Sequence, residues 1–213
     1  MSRVVLLFAI AVAAVAAWVF LDPPAPREAW ANSAFPLVAK TGAPGEGLCI
    51  DCHSGSLVNE AGGSISIDGA PSSYVPGQAY TLTVTVRHIS QQRWGFELIP
   101  LRSNNTMAGA ITLTSQRTKA QPLNGKTYVS HDSEIQGQDG TFSGQPDSAM
   151  WSFTWTAPGA TTGTVTFYAA GNAANRNGLN TGDKIYTTSI SAMEGSSTAV
   201  DATTWGKIKM LYH

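Results

Sequence analysis

The chain has 213 residues, of which 43 % are hydrophobic and only 13 % are charged, and it contains 21 glycines. A net charge of −1 without any basic run excludes the electrostatic footprint that nucleic-acid-binding proteins need. Little charge combined with abundant Gly, Ser, Thr and Asn favours an exported, β-rich domain over a cytosolic enzyme.

The first predicted element is a hydrophobic helix over residues 4–21, VVLLFAIAVAAVAAWVFL, which carries no charge and follows Arg3. As a helix it rises about 27 Å, at the short end of the length that spans a bilayer. Two interpretations stay open. Either residues 1–31 are a signal peptide cleaved after Ala29-Trp30-Ala31, or residues 4–21 remain as an inner-membrane anchor. Both predict that the rest of the chain lies in the periplasm, at the cell surface or in the medium.

Residues 32–62 are predicted to be an irregular linker that carries a Cys-x-x-Cys-His motif. Cys49 and Cys52 are the two cysteines of the chain, and His53 directly follows the second. This spacing is typical of covalent haem c attachment, in which both thiols add across vinyl groups and the histidine reaches the iron. The motif predicts one covalent haem c on Cys49 and Cys52, with His53 as the proximal iron ligand.

Three other interpretations of the motif stay open. A disulfide between Cys49 and Cys52 would close a very small loop and remove little entropy from the unfolded chain. A thioredoxin-like dithiol is expected where a strand meets a helix N-terminus, whereas Gly- and Ser-rich sequence flanks this motif. A structural zinc site needs two further ligands at recognisable spacing, and the sequence shows none.

Residues 63–191 are predicted to form one β-domain, because eight short runs rich in Val, Thr, Tyr, Trp and Phe alternate with turn residues. In YTLTVTVR (80–87) and WSFTWT (151–156) every second residue is apolar, which predicts strands with one buried and one solvated face. Such strands predict an all-β fold, an antiparallel sandwich of two sheets. The runs are 63–67, 79–88, 94–101, 108–114, 126–131, 149–157, 163–171 and 184–191.

Two further stretches have simpler interpretations. Residues 170–184 contain Asn177, Asn180 and Asp183, but a single carboxylate makes a solvated connection between strands the better interpretation than a calcium loop. Residues 192–213 are predicted to be a tail with a short helix, whose apolar stripe is formed by Trp205, Ile208 and Leu211.

The sequence defines the second axial ligand of the iron less firmly. His131, at the end of a predicted strand, is the favoured distal ligand, and an iron without a second protein ligand stays open. No catalytic residue is predicted, because no Ser-His-Asp order, carboxylate pair or phosphate loop occurs. The predicted work is one-electron transfer with an unidentified redox partner, and an open iron would leave a peroxidase-like or ligand-sensing role. The other candidate ligands are His88, His213, Met107, Met150, Met193 and Met210.

The segments TGAPGEGLCIDCHSG, RWGFELIPL, YVSH, WSFTWTAP and VTFYAAGNAANRNGLNTGDKIYTT together resemble bacterial exported proteins with a reelin-like (reeler) domain, some of which are choice-of-anchor proteins. The resemblance covers residues 41–191 and implies an immunoglobulin-like sandwich. It also implies that a Cys-x-x-Cys-His segment leads into this domain, here at Cys49, Cys52 and His53.

The same resemblance implies an alternative to electron transfer. Animal reeler domains have a similar histidine-containing stretch without a haem motif, which gives His131 a structural role as an equal possibility. Some reeler domains accompany haem-binding modules and others belong to matrix proteins. A cell-surface binding or matrix module with a Cys49–Cys52 disulfide and no haem is therefore the alternative function.

Overall fold

Ten β-strands form within residues 32–195, the part of the chain that a computed structural model describes. The predicted export helix, its cleavage site and the predicted C-terminal helix lie outside these residues. Within residues 32–195, no helix has the length and apolar character that crossing a membrane requires. The strands are β1 (Gly63–Asp68), β2 (Ser73–Tyr74), β3 (Ala79–His88), β4 (Arg93–Arg102), β5 (Ala110–Leu113), β6 (Thr118–Leu123), β7 (Lys126–His131), β8 (Ser148–Thr156), β9 (Val165–Ala174) and β10 (Lys184–Glu194).

The strands form two sheets that pack face to face. The smaller sheet has the order β1-β3-β8-β5, and the larger sheet has the order β2-β10-β9-β4-β7-β6. Neighbouring strands are antiparallel except β2, which runs parallel to β10. This arrangement is immunoglobulin-like. It differs in chain order, because β5, the edge strand of the smaller sheet, comes before the β6–β7 hairpin at the edge of the larger sheet. The predicted all-β sandwich is therefore confirmed.

The inner faces of both sheets supply the core, as the alternation predicts. On β3 the outward residues Thr81 and Arg87 are exposed, while Tyr80 is only partly buried because it lies near the end of the strand. Each buried tryptophan of the core satisfies its N–H; Trp155, for example, donates to the Ala108 carbonyl at 2.9 Å. The predicted inward residues that are buried are Leu82, Val84, Val86, Trp151, Phe153 and Trp155.

All eight predicted runs form strands, and β2 and β6 were not predicted. The two residues of β2 are too few to show a period. The sequence of β6, TKAQPL, lacks alternation and contains Pro122, which is tolerated because β6 lies at the edge of its sheet. The last strand, β10, continues to Glu194, three residues past the predicted limit of the domain.

Strand β4 is buried on both faces, since every residue from 94 to 101 is inaccessible to solvent. One face belongs to the core between the sheets. The other face is the outer surface of the larger sheet, and the stretch before β1 covers it. That covering stretch, residues 34–60, carries the Cys-x-x-Cys-His motif.

Candidate functional site: the Cys-x-x-Cys-His turn on the larger sheet

The covering stretch is irregular, as predicted, but it packs against the sheet through apolar contacts. Ala43 is buried in a second apolar cluster with Ile99, Leu101 and Tyr128, and Val38 packs against this cluster. Burial of this kind stabilises a segment by about 25 cal/mol for each Å² of apolar surface removed from water. The motif is therefore attached to the sandwich at its N-terminal side.

Glu46 adds a polar anchor between the covering stretch and strand β7. Its side chain is 5 % exposed, and its Oε1 accepts hydrogen bonds from Lys126 Nζ at 2.9 Å and from the Tyr128 hydroxyl at 2.6 Å. Its Oε2 accepts a third hydrogen bond, from the Thr41 hydroxyl at 2.6 Å. Burial and the nearby Glu46 carboxylate raise the pKa of Tyr128. A buried carboxylate with three donors holds residues 41–46 against β7.

The motif itself forms one helical turn, Cys49–Asp51. The Cys52 and His53 amides both donate to the Cys49 carbonyl, at 3.2 and 2.9 Å. Both thiols and the imidazole therefore leave the backbone within one short turn that closes on the Cys49 carbonyl. Cys49 and Cys52 are free thiols in the structure.

His53 is held by a carboxylate from the start of β10. Its Nδ1 lies 2.5 Å from Asp183 Oδ2, and the side chains of His53 and Asp183 are 18 % and 1 % exposed. Because a carboxylate only accepts hydrogen bonds, the His53 Nδ1–H donates to Asp183. Asn172 Nδ2 lies 3.3 Å from Nε2 and 3.1 Å from Nδ1, while Asn172 Oδ1 is buried without a hydrogen-bond partner.

The connection between β9 and β10 binds the C-terminal side of the motif. The Ser54 amide donates to the Asn180 carbonyl at 2.8 Å, and the Gly182 amide donates to the Ser54 carbonyl at 2.9 Å. Asn180 Nδ2 also donates to the Cys52 carbonyl at 2.8 Å. The loop is a connection between strands, as predicted, and it also serves as the docking partner of the turn.

Glu97, on the outer face of β4, lies beneath the turn and is 1 % exposed. Its Oε2 accepts a hydrogen bond from the Lys40 amide at 2.7 Å, whereas its Oε1 is buried without a partner. Burial raises the pKa of Glu97 to about 8, and the neighbouring Glu46 adds to the rise. Burial also raises the pKa of the Cys49 thiol to about 12, with the charge of Glu97 as the next contribution.

His131 is buried at the end of β7 and bonds to the edge of β4. Its Nδ1 accepts a hydrogen bond from the Phe96 amide at 3.2 Å. The imidazole thus takes the place of a backbone carbonyl of a neighbouring strand. The ring lies against Gly95, where an added Cβ would come within 2.8 Å of Cε1. Burial lowers the pKa of His131 to about 4, so it is neutral at physiological pH.

The structure therefore brings three of the four predicted site residues, Cys49, Cys52 and His53, into one turn. His131 approaches the same part of the larger sheet from β7, because Gly95 pairs with Asn172 in the β4–β9 ladder. Within residues 32–195, no group of three or more His, Cys, Asp or Glu side chains is arranged to hold a metal ion. His131 as the distal ligand stays a prediction.

Sequence reasoning missed the residues that hold the motif in place. Glu97 is a charged residue within the apolar run WGFELIPL, and such a residue signals a buried, paired carboxyl group. Asp183 was considered only as a calcium ligand. For Glu46 and Asn172 the sequence carries no comparable signal, because their partners come from distant strands.

Two observations agree with a haem c, and one does not. The two thiols and the imidazole belong to one turn that is closed by hydrogen bonds to the Cys49 carbonyl. Asp183 fixes the His53 ring through Nδ1, as a carboxylate or a carbonyl does for most metal-binding histidines. Asn172 Nδ2 lies 3.3 Å from Nε2, so this amide would have to move for an iron to reach Nε2.

The strand arrangement and the turn define the class of this protein as an immunoglobulin-like β-sandwich with a Cys-x-x-Cys-His turn bound to its larger sheet. No family model and no curated protein matches the sequence. Among solved structures, the chain is similar to the reeler domain of human F-spondin, with 22 % identity, a TM-score of 0.43 and coverage of 66 % of this chain and 95 % of that one. It is also similar to AvmM, which catalyses macrocyclization in alchivemycin A biosynthesis, with 14 % identity, a TM-score of 0.44 and coverage of 69 % and 97 %.

A second F-spondin structure, described as its Reelin-N domain, is similar to the same extent, with 22 % identity, a TM-score of 0.44 and coverage of 66 % and 93 %. The solved structures to which this chain is similar therefore include reeler domains. The resemblance to choice-of-anchor proteins and the haem assignment stay predictions.

Proposed function

We propose that this chain is an exported β-sandwich module that carries one haem c on Cys49 and Cys52, with His53 as an axial ligand of the iron. Its work is one-electron transfer outside the cytoplasm. The observation that carries the proposal is the 2.5 Å contact between His53 Nδ1 and Asp183, beside two free thiols on the same helical turn. A haem supplies a one-electron couple at the iron when it is bound.

The residues of the chain would bind and orient that group. Each thiol adds its S–H across a carbon–carbon double bond of a vinyl group, which forms a thioether without a leaving group. Asp183 accepts a hydrogen bond from His53 Nδ1–H, so Nε2 is the ring nitrogen that would bind the iron. Glu46 and the β9–β10 loop fix the turn from both sides, so the group would keep one orientation relative to the larger sheet.

Export is part of the proposal and rests on the sequence. Residues 4–21 form an uncharged apolar run behind Arg3. Covalent haem attachment in bacteria takes place outside the cytoplasm, so the motif and the apolar run, two independent features, agree. A fusion of residues 1–62 to a reporter that is active only after export tests this part; a reporter that stays cytoplasmic contradicts it.

A second candidate function is an extracellular binding or matrix module without haem. It is favoured by the hydrogen bonds around His53, which join the turn to β9 and to the β9–β10 loop through protein groups. In this case the turn has a structural role and attaches the covering stretch to the larger sheet.

Thiol titration of the unfolded protein, with and without reductant, separates the two candidates. Cysteines in thioether bonds do not react under either condition. Two thiols that react only after reduction identify a disulfide and contradict haem attachment. The protein must come from cells with an active cytochrome c maturation system, and its reduced form should then show a sharp α-band. The Cys49→Ser/Cys52→Ser variant should lose that band.

A further inference from the structure

The three most exposed large apolar side chains within residues 32–195 are those of Ile89, Leu57 and Leu179, which are 82 %, 79 % and 64 % exposed. Ile89 lies in the β3–β4 turn, Leu57 in the covering stretch and Leu179 in the Asn-rich β9–β10 loop. Turn and loop positions are usually taken by Gly, Pro, Asn, Asp or Ser, so large aliphatic side chains are unusual there. Exposed apolar groups concentrated in one region indicate an interaction surface.

The three loops adjoin at one end of the sandwich. The Ile89 amide donates to the Gly62 carbonyl at 3.2 Å, which joins the β3–β4 turn to the chain just before β1. Gln91 Nε2 donates to the Gly182 carbonyl at 3.4 Å, which joins the same turn to the β9–β10 loop. That loop also binds the covering stretch after the Cys-x-x-Cys-His turn, so all three apolar side chains project from the end of the molecule that carries the motif.

Hydrogen bonds hold the backbone of these loops in place. The Leu179 amide donates to Asn177 Oδ1 at 2.8 Å, and the Leu57 amide donates to Glu60 Oε2 at 3.2 Å. Glu60 is in turn paired with Lys184, at 2.5 Å. Because the loops are already ordered, little further backbone freedom is lost when their side chains enter another phase.

The described part of the chain starts at this same end. The Ser133 amide donates to the Ala34 carbonyl at 2.8 Å, directly after β7. The end of β7 lies beside the start of β4, because Ser130 pairs with Glu97 in an antiparallel ladder. The covering stretch therefore begins at the end of the sandwich where β4 starts and where Ile89 is exposed.

Two features indicate that the occupant of this surface is a phospholipid bilayer. Residues 22–33 separate the apolar run 4–21 from the covering stretch, and twelve residues span at most about 40 Å. A retained anchor would therefore keep this end of the sandwich within that distance of the membrane. Arg176 is exposed in the same loop as Leu179, three positions before it, and an arginine beside an apolar tip matches the phosphate groups of lipids.

We propose that Leu57, Ile89 and Leu179 insert into the surface of a phospholipid bilayer and dock the end of the sandwich that carries the Cys-x-x-Cys-His turn on the membrane. Transfer of these side chains from water into the acyl region supplies the driving force. The inference goes beyond the proposed electron transfer and does not need a haem; it rests only on the export of the chain.

The experiment measures how deep a nitroxide spin label on Ile89→Cys lies in a membrane. The protein, as cells produce it and with Cys49→Ser/Cys52→Ser so that the label has one site, is bound to vesicles of phosphatidylcholine and phosphatidylglycerol. Collisions of the label with oxygen, which dissolves in lipid, should rise several-fold, and collisions with a water-soluble nickel chelate should fall several-fold. Met193→Cys is the matched control, because Met193 is 63 % exposed and lies beside β2 at the opposite end of β10. Its label should stay in water.

A second variant tests whether the three side chains act together. With Leu57→Ser and Leu179→Ser added, the label at position 89 should return to water, while urea unfolding stays unchanged because both side chains are exposed. A label at position 89 that meets the nickel chelate as often as the label at position 193 overturns the inference. Insertion that survives the two serine substitutions overturns it too. A label at position 89 that becomes immobile in solution without lipid assigns the surface to a second copy of the chain and overturns it as well. Each of these outcomes leaves the haem proposal untouched.

Discussion

His53 and Asp183 are 130 positions apart in the sequence, yet Nδ1 of one lies 2.5 Å from Oδ2 of the other. Asp183 stands just before β10, and its Oδ1 also accepts the Asn175 amide at 3.3 Å. A single buried carboxylate therefore orients the imidazole of the motif and orders the β9–β10 loop on which the motif docks. The account of this protein depends on that contact.

Asp183→Ala should destabilise the protein by about 1–3 kcal/mol, because it leaves the His53 Nδ1–H and the Asn175 amide without their acceptor. Asp183→Asn keeps an oxygen at the same place and should cost less. Urea unfolding of the haem-free Cys49→Ser/Cys52→Ser protein measures both changes. Equal stability of the alanine and asparagine variants would show that the carboxylate does not hold the histidine.

Glu97 should make the haem-free protein less stable as pH rises. Its folded pKa is about 8 and the ordinary value of a glutamate is 4.5, so the folded state keeps a proton that the unfolded state loses between these values. The contribution of Glu97 to stability is full below pH 4.5 and is lost as pH rises to 8, by up to about 5 kcal/mol at 1.36 kcal/mol per pKa unit. Glu97→Gln should remove this pH dependence, and denaturant unfolding from pH 5 to pH 9 checks it. A wild type and a glutamine variant with parallel pH profiles would contradict the buried position of Glu97.

Glu46→Ala should release the covering stretch from β7. The substitution leaves the buried Tyr128 hydroxyl and Lys126 without their acceptor, at a cost of about 2–4 kcal/mol. In haem-free protein that keeps both cysteines, the Cys49 thiol of Glu46→Ala should react faster with a thiol reagent than that of the wild type. The reason is that the docked covering stretch shields this thiol. Glu134→Ala, which breaks an exposed ion pair, should change stability by less than about 1 kcal/mol. Unchanged thiol reactivity in Glu46→Ala would show that this anchor does not hold the turn.

His131 should make the protein sensitive to mild acid. Burial lowers its folded pKa to about 4 from 6.5, so its contribution is complete above pH 6.5 and is lost as pH falls towards 4. The loss amounts to about 3 kcal/mol at 1.36 kcal/mol per pKa unit. His131→Asn keeps an acceptor for the Phe96 amide but does not titrate, so its stability relative to the wild type should rise as pH falls from 6.5 to 4. A profile identical to the wild type would mean that another group controls stability in this range.

The same variant tests His131 as the distal ligand. If the His131 ring binds the iron of the haem-loaded protein, His131→Asn opens the sixth position, and the reduced protein then binds carbon monoxide at neutral pH. If the absorbance spectrum of the haem-loaded protein and its carbon monoxide binding are unchanged by the substitution, His131 is purely a structural residue of β7.

The sandwich was predictable because its strands carry local signals. In β3 and β8, two-residue alternation alone identifies the buried face, and in β8 the structure follows it residue by residue from Ala149 to Thr156. In β3 the predicted outward residue Thr85 is buried instead. The signal fails in β4, where both faces are apolar because the covering stretch packs on one of them. A single sequence does not show that second layer, since the contacts of Ala43 with Ile99 and Leu101 join segments more than fifty residues apart.

The residues of the motif were predictable from the sequence, and the residues that contact the motif were not. Cys49, Cys52 and His53 are adjacent in sequence, so their spacing carries the chemistry. The groups that set their environment, Glu97 from β4 and Asp183 from the start of β10, are brought there by strand pairing. Only Glu97 has a local signal, a charge within an apolar strand.

The central claim is that a haem is bonded through two sulfurs to the turn on the larger sheet. The intact mass of the mature protein, purified from cells with cytochrome c maturation, tests it most directly. The account predicts a red protein whose mass exceeds that of its polypeptide by one haem, and whose Cys49→Ser/Cys52→Ser variant lacks this difference. A colourless wild type with the mass of its amino acids alone would contradict the claim.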